Sequence, residues 1–342
     1  VKKILLTIFF ILILAGAGVV YYLYRQILAP NVSVTKENEF VYLPTGSTFS
    51  QVVDSLQASG MLQNVASFQW VAERMGYPEK VKPGKYQLRD GMNNRELVQL
   101  LRSGKQVPVK LIFNNIRTKS DLAGKISRQL EVDSLQLLQL LNDSAVLSPL
   151  GFNTENILCM FIPNTYEVYW NMSAEKFFKK MDTEYESFWN KTRLQKAKDE
   201  GLTPIQVSVL ASIVQSETSR NSEKSTIAGV YVNRLRKNWK LEADPTLIYA
   251  MNDFSIKRVL NEYKEIDSPY NTYKYFGLPP GPICLPEISS LEAVLNFSSH
   301  DYMYFCARED LSGYHSFASD LKTHMLNARR YQAELNRRNI RR

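Results

Sequence analysis

TPIQVSVLASIVQSET, residues 203–218, is the stretch on which the reading of this chain turns. Thr203 has the place of an N-cap, Pro204 the first helical position, and Gln206 the reach of a capping-box partner. Leu202 and Val207 are spaced to close a hydrophobic staple across that start. From there Val207, Leu210, Ile213, Val214 and Glu217 fall on one side of a helix at about 100° per residue. The expectation is an amphipathic helix whose apolar stripe ends in a carboxylate. A carboxylate in that position needs a partner or carries a raised pKa. Two readings follow from the residues: an ion pair with Arg220 or Arg234, or a carboxyl still protonated near neutral pH, which is what a general acid requires.

Working outward, a second helix is predicted to start near Asn221 or Ser222. It carries Ile227, Val230, Tyr231 and Leu235, with Asn233 and Arg234 beside the stripe. In LEADPT, residues 241–246, Pro245 holds Asp244 extended. Asp244 is therefore expected to N-cap a helix over Thr246–Met251, with Pro245 at its first position. SPYNTYKYFGLPPGPI, residues 268–283, combines stiff prolines, permissive glycines and flat amphipathic rings. Such a loop suits a sugar polymer, whose apolar faces stack while its hydroxyls find Asn271 and Thr272; the competing reading is a packed connection. His300, His315 and His324 fit no metal spacing, and no H-E-x-x-H is present. No G-x-S-x-G nucleophile motif or glycine-rich phosphate loop occurs, so no metal and no cofactor is expected.

The 342 residues suffice for two or three domains. Lys2 and Lys3 precede an apolar run from Ile4 to Tyr24 in which Thr7 is the only non-aromatic polar side chain. About 20 such residues at ~1.5 Å each cross the hydrocarbon layer. Ala15-Gly16-Ala17 resembles a signal-peptidase site, but the run continues well past it, and Tyr21, Tyr22 and Tyr24 suit an interfacial belt. Lys2 and Lys3 before the span, against Arg25 after it, favour a cytoplasmic N-terminus. The organisation expected is a transmembrane anchor over 1–25, a stalk over 26–39, a small α+β module over 40–106, a connecting helical and strand region over 107–200, a mixed α+β core over 201–328 and an Arg-rich tail over 329–342. Cys159, Cys284 and Cys306 have no metal or redox spacing and read as buried thiols. Of the net charge of +8, the last 14 residues supply six Arg against Glu334, a balance of +5. That excess suits an anionic lipid or polymer, or the solvated face of a terminal helix. No basic helix carries base-reading residues, which argues against nucleic acid.

Taken in order, the segments LASIVQSET (210–218), Asn233-Arg234-Leu235, Asp244-Pro245-Thr246, SPYNTY (268–273), GLPPGPI (277–283) and Gly313-x-His315-x-Phe317 resemble the endolytic murein transglycosylase family (MltG/YceG-like). The resemblance covers almost the whole chain. It implies a membrane anchor, a LysM-like module and a catalytic domain, with Glu217 at the position of the catalytic glutamate. It implies peptidoglycan glycan strands as substrate, cut between MurNAc and GlcNAc to leave a 1,6-anhydro-MurNAc end. It also implies a cytoplasmic (inner) membrane location with the catalytic part outside the cytoplasm, and cell-wall synthases as partners. Candidate substrate-binding residues are Asn233, Asp244, Thr246, Tyr270, Asn271, Thr272, Tyr273, Pro280, Gly281 and His315. The chain departs from the family's pattern at Leu158-Cys159, at Ser219 and at Glu242, where glutamine is common.

The implied chemistry explains how one carboxyl suffices. The sugar's own C6 hydroxyl attacks the anomeric carbon, so Glu217 protonates the leaving oxygen and then accepts the C6 proton. Ordinary glycosidases need two carboxyls. The alternatives are a muramidase in which Glu242 or Asp244 activates water, and a non-catalytic wall-binding protein using the LysM-like module.

Overall fold

The computed structural model describes residues 2–34, 39–256, 259–338 and 340. Residues 35–38 of the expected stalk, and residue 339, Arg341 and Arg342 of the expected tail, lie outside the described residues. Among the described residues the chain mixes helices with three two-stranded sheets, and it divides into two compact units. The first comprises residues up to Leu111 with Arg128–Val132 and Tyr166–Ser173; the second comprises Ile112–Ser127, Asp133–Thr165 and Ala174 onward.

The first unit begins with α1 (Lys2–Ile27), long and apolar enough to cross a membrane by length and composition, its apolar side chains exposed. The Thr7 hydroxyl donates to the Lys3 carbonyl at 3.0 Å, so this polar side chain is paired within the helix. Then come β1 (Phe40–Leu43), α2 (Phe49–Ala58), α3 (Val65–Arg74), β2 (Gly84–Gln87) and α4 (Asn94–Ser103). β1 and β2 are antiparallel, with Val41 opposite Tyr86 and Leu43 opposite Gly84. Their alternation turns Val41, Leu43 and Tyr86 into a core with Val52, Leu56, Phe68, Val71, Leu97 and Leu101. Capping boxes start α2 at Thr48–Gln51 and α4 at Asn93–Glu96, and Gly104, at φ 74°, ends α4. β3 (Val109–Ile112) follows and pairs with β4 (Thr165–Val168).

The second unit is mainly helical: α5 (Lys119–Ser127), α6 (Ser134–Asn142), α7 (Ser144–Leu147), α8 (Ala174–Phe188), α9 (Lys191–Asp199), α10 (Pro204–Glu217), α11 (Asn221–Arg236), α12 (Asp244–Met251) and α13 (Ile288–Leu295). An antiparallel hairpin, β5 (Tyr304–Ala307) and β6 (His315–Ala318), precedes α14 (Leu321–Arg337). Arg329, Arg330 and Arg337 thus continue a helix, and Glu334 binds Arg337 and Arg338 at 2.6 Å each.

α10 forms the capping box the sequence predicts: Gln206 N–H donates to Thr203 Oγ1 at 3.2 Å and Thr203 N–H to Gln206 Oε1 at 2.8 Å. Its burial is broader than a stripe. Every residue from Val207 to Val214 is buried, because α11, α12 and α13 all pack against it. Its polar side chains are spent on a neighbouring segment: Ser212 Oγ accepts from the Ile283 N–H at 3.0 Å, and Gln215 Oε1 from the Glu287 N–H at 2.6 Å and Ser290 Oγ at 3.0 Å. Residues 283–290 are thereby laid along α10. Cys159 and Cys284 are buried thiols, while Cys306, on β5, is half-buried.

Candidate active site

Glu217 stands where α10 ends, and Thr218 leaves the helix in extended conformation. After the short link to Asn221 the chain returns as α11, whose inward face brings Tyr231 back under the carboxyl. The Tyr231 hydroxyl donates to Glu217 Oε1 at 2.6 Å. Tyr231 is 1% exposed and meets Phe305 of β5 edge-on at 5.9 Å, so its ring is held from the far side. Glu217 itself keeps partial exposure. Low-dielectric surroundings push its pKa from 4.5 to about 7; the Tyr231 hydrogen bond opposes the rise, Asp244 adds to it and Arg234 opposes it. Among the described residues Glu217 makes no ion pair, so neither Arg220 nor Arg234 is the partner one reading expected. Arg220 donates to the Ser312 carbonyl at 2.7 Å and lies over the Tyr314 ring. Arg234 donates to the Met303 carbonyl at 2.8 Å and the Leu241 carbonyl at 2.6 Å, and pairs with Glu242 at 3.5 Å.

Asp244 does not cap its helix. α12 begins at Asp244, with Pro245 in its first turn, and Ala243 holds the cap position without a side-chain bond. The extended residue falls one place earlier than expected, on Ala243 (φ −94°, ψ 112°), and Asp244, already helical, has its carboxylate free for another partner. Tyr273 supplies it, donating to Asp244 Oδ1 at 2.5 Å. Burial, then that bond and the carboxylates of Asp244, Glu217 and Glu242, hold the Tyr273 phenol far above its usual range. Glu217, Tyr231, Asp244 and Tyr273 therefore form one electrostatic cluster.

The remaining candidates divide sharply. Thr246 and Thr272 are buried and share a hydroxyl contact of 2.8 Å, Thr246 also donating to the Ala243 carbonyl at 2.7 Å and Thr272 accepting from the Ala243 N–H at 3.0 Å. They clamp the 241–246 strand of chain to the 270–273 turn. Asn271, 0% exposed, donates to the Lys264 and Ile266 carbonyls at 2.8 Å each and accepts from the N–H groups of Tyr273 and Lys274. Its amide is used up in shaping the turn. Tyr270 donates to Glu155 at 3.0 Å and packs on Tyr249 with ring centroids 4.7 Å apart. Gly281 sits so close to the Glu155 carbonyl that a Cβ would lie 2.0 Å from it. Pro280 is exposed and, with Asp267, Ser268, Pro269, Tyr275 and Leu278, lines an open hollow of about 520 Å³ that Glu217 does not line.

Asn233 and His315 lie elsewhere in the same unit. Asn233 donates to the His300 carbonyl at 2.7 Å and the Tyr302 carbonyl at 3.1 Å, pinning the chain that leads into β5. His315 binds the buried Glu223 through its backbone N–H at 2.8 Å and through Nδ1 at 3.1 Å. That contact ties the β5–β6 hairpin to the first turn of α11, where an acid also suits the helix dipole.

Two residues that shape the site went unassigned by sequence reasoning. Tyr231 read as one more member of an apolar stripe; the signal was its phenol, since a buried hydroxyl must find a partner. Glu155 carried no local signal, because its role depends on Tyr270 and Gly281, more than 100 residues away.

The model of the YceG-like family matches residues 41–330. Among curated proteins, the chain is 28% identical over 330 residues to the endolytic murein transglycosylase of Bacillus subtilis, covering 92% of this chain and 89% of that protein. It is 24% identical over 336 residues to the endolytic murein transglycosylase of Streptococcus pneumoniae strain D39, covering 88% of this chain and 60% of that longer protein. A yceG-like protein of Listeria monocytogenes, known from a 2.6 Å crystal structure, superposes with a TM-score of 0.57 at 27% identity, over 85% of this chain and 99% of the other. With a family match that spans the helix of Glu217, the loop of Tyr273 and most of both units, this chain belongs to the YceG-like family.

Proposed function

We propose that the chain is a membrane-anchored lytic transglycosylase that cuts within peptidoglycan glycan strands, with Glu217 as its acid and base. One observation carries the reading: a half-buried carboxyl at a helix end, held by the Tyr231 hydroxyl, with its pKa pushed up to about 7. Such a group is part protonated and part ionised near neutral pH, the condition for giving a proton and then taking one. In the reaction proposed, the Glu217 proton passes to the glycosidic oxygen of the GlcNAc unit as the bond from the MurNAc C1 breaks. The MurNAc C6 oxygen then bonds to C1 and its proton passes to the Glu217 carboxylate. Two ends result, one of them a 1,6-anhydro-MurNAc, and no water is consumed. The names of the curated relatives, endolytic murein transglycosylases, support the substrate and a cut within the strand.

Of the candidate binding residues, Tyr273 and Pro280 offer a ring and an edge to a glycan, whereas Tyr270 is buried in the core and supports the loop from beneath. Asn233, Asn271, Thr246, Thr272, Gly281 and His315 act on the shape of the site through the bonds described above. The antiparallel β1–β2 pair flanking α2 and α3 supports a LysM-like reading of the first unit, and with it a second hold on the glycan. α1 serves as the anchor in the cytoplasmic membrane, with both units outside the cytoplasm and wall-building synthases as neighbours.

A second reading has its own observation. Asp244 is exposed and close enough to raise the Glu217 pKa, so it could activate water in a muramidase. Glu242 is a poorer base for that role, being held at 3.5 Å by Arg234. Product mass on purified peptidoglycan separates the two: lytic ends are one water lighter than reducing ends. The expected products of the wild type are anhydro ends, and Glu217→Gln is expected to abolish them while still binding glycan. Reducing ends alone would establish hydrolysis, and full activity in Glu217→Gln would remove the carboxyl from the mechanism.

A further inference from the structure

α1 does not simply trail from the first unit; its last turn is bolted into it. The Asn94 amide donates to the Gln26 carbonyl at 2.8 Å and to Ser67 Oγ at 2.9 Å, while Asn31 donates to Asn94 Oδ1 at 2.6 Å and to the Asn64 carbonyl at 2.9 Å. Asn31 and Asn94 are 4% and 1% exposed, so the network is buried and satisfied. Ile27 packs on the core of the same unit. One turn earlier, Tyr22 meets Trp70 of α3 edge-on, with ring centroids 6.4 Å apart. The Arg74 guanidinium lies 3.6 Å over that Trp70 ring.

Distance along α1 then decides where this unit must lie. A hydrocarbon layer filled from Ile4 ends near Leu23, about 20 residues on. Gln26 is three residues further, about 5 Å at ~1.5 Å per residue, which is still within the headgroup zone. A unit attached there by a buried amide network has no slack to stand away from the bilayer. We propose that the first unit rests on the phospholipid headgroups through the Tyr22–Trp70–Arg74 stack, Trp70 lying at the interface and Arg74 with Arg25 engaging lipid phosphate.

The residue types agree with the position. Tryptophan and tyrosine partition to the bilayer interface, and Arg74, one N–H of which reaches the Trp70 carbonyl at 3.5 Å, keeps its other N–H groups for phosphate. Arg25 and Arg74 are both exposed. Glu73, the exposed acid beside Arg74, keeps the general field of α3 low, so the attraction is a local contact with phosphate rather than a broad basic patch. The inference rests on α1 crossing the membrane and is independent of the chemistry at Glu217.

The test uses the full chain reconstituted in bilayers of phosphatidylcholine with phosphatidylglycerol, containing a lipid with a nitroxide on its headgroup. Alkaline carbonate washing comes first and reads the anchor alone: a chain released by it does not span, which overturns both anchor and docking. With the chain retained, headgroup nitroxide is expected to quench tryptophan fluorescence. Trp70→Phe should lower that quenching. Arg74→Glu should weaken the quenching in phosphatidylglycerol-containing bilayers more than in phosphatidylcholine alone. No headgroup quenching of the wild type, in a chain that resists carbonate, would mean that the unit stands off the membrane, and equal quenching of wild type and Trp70→Phe would remove Trp70 from the contact. Equal quenching of wild type and Arg74→Glu in both lipids would remove phosphate from the contact.

Discussion

Tyr231 sets the terms on which Glu217 holds its proton. Its hydroxyl binds one carboxyl oxygen at 2.6 Å and steadies the ionised form, against the burial that favours the neutral one. In Tyr231→Phe the opposing bond is lost, so the Glu217 pKa should rise above about 7. The limb of the kcat/KM profile that falls as this acid ionises should move to higher pH. The rate at the optimum should drop about tenfold, the order expected for one charge-assisted hydrogen bond. A pH–rate profile with an unmoved alkaline limb would show that Tyr231 only fills space. Glu217 also has a signature in stability. Its folded value, about 7, lies above its ordinary 4.5. Protonation therefore favours the fold: the contribution is complete below about 4.5 and is lost as pH rises through about 7. Allowing for the partial exposure of the side chain, the loss is roughly 2 kcal/mol. Glu217→Gln should accordingly be more stable than the wild type at pH 8 by about that amount and nearly equal to it at pH 4. Denaturant melts at both pH values check this, and an equal difference at each would contradict the raised pKa.

At the scale of elements, the site depends on how closely α11 and the segments beside it approach. Gly229 lies within α11, where a Cβ would stand 2.5 Å from the Ser298 carbonyl and 2.7 Å from His300 Nε2. Gly229→Ala should push this chain off α11, at a cost of about 1–3 kcal/mol. It should disturb the Asn233 bonds to residues 300 and 302 before it disturbs Tyr231. Thermal unfolding measures the first effect; a Gly229→Ala protein as stable as the wild type would mean that the contact relaxes freely. The start of α10 was readable from Thr203, Pro204 and Gln206, because a capping box is made by residues three apart. The extent of its burial was not, since polar Ser208 and Ser212 are buried by neighbours distant in sequence. Asp244 departs from its expected cap for a related reason. Local rules offered it a cap, while the fold brought Tyr273 from 29 residues away.

For the whole molecule, the bond between α1 and the rest of the first unit is the feature with a measurable consequence. A chain shortened to begin at Tyr24 keeps the Gln26 carbonyl and Ile27, whereas one begun at Leu28 loses both. The second should unfold its first unit more easily, by about 1 kcal/mol for the lost hydrogen bond alone, with a further loss from Ile27 packing. Hydrogen exchange at α3 and α4 in the two shortened chains checks this; equal protection would show that α1 is only tethered. The net charge of +8 is a weak guide at this scale, because Glu334 binds two of the terminal arginines.

Legible in the sequence alone are an apolar N-terminal helix, the capped start of a helix ending in Glu217 and a loop rich in tyrosine, proline and glycine. All of these follow from spacings of a few residues, where local sterics and hydrogen bonding are enough. Tertiary structure alone decided that Tyr231, not an arginine, holds Glu217, and that Asn271, Thr246 and Thr272 shape the loop from within it. It also decided that Tyr273 answers to Asp244. Each of these is a choice of partner for a buried polar group, and that choice is made by whichever distant segment the packing brings within hydrogen-bond reach.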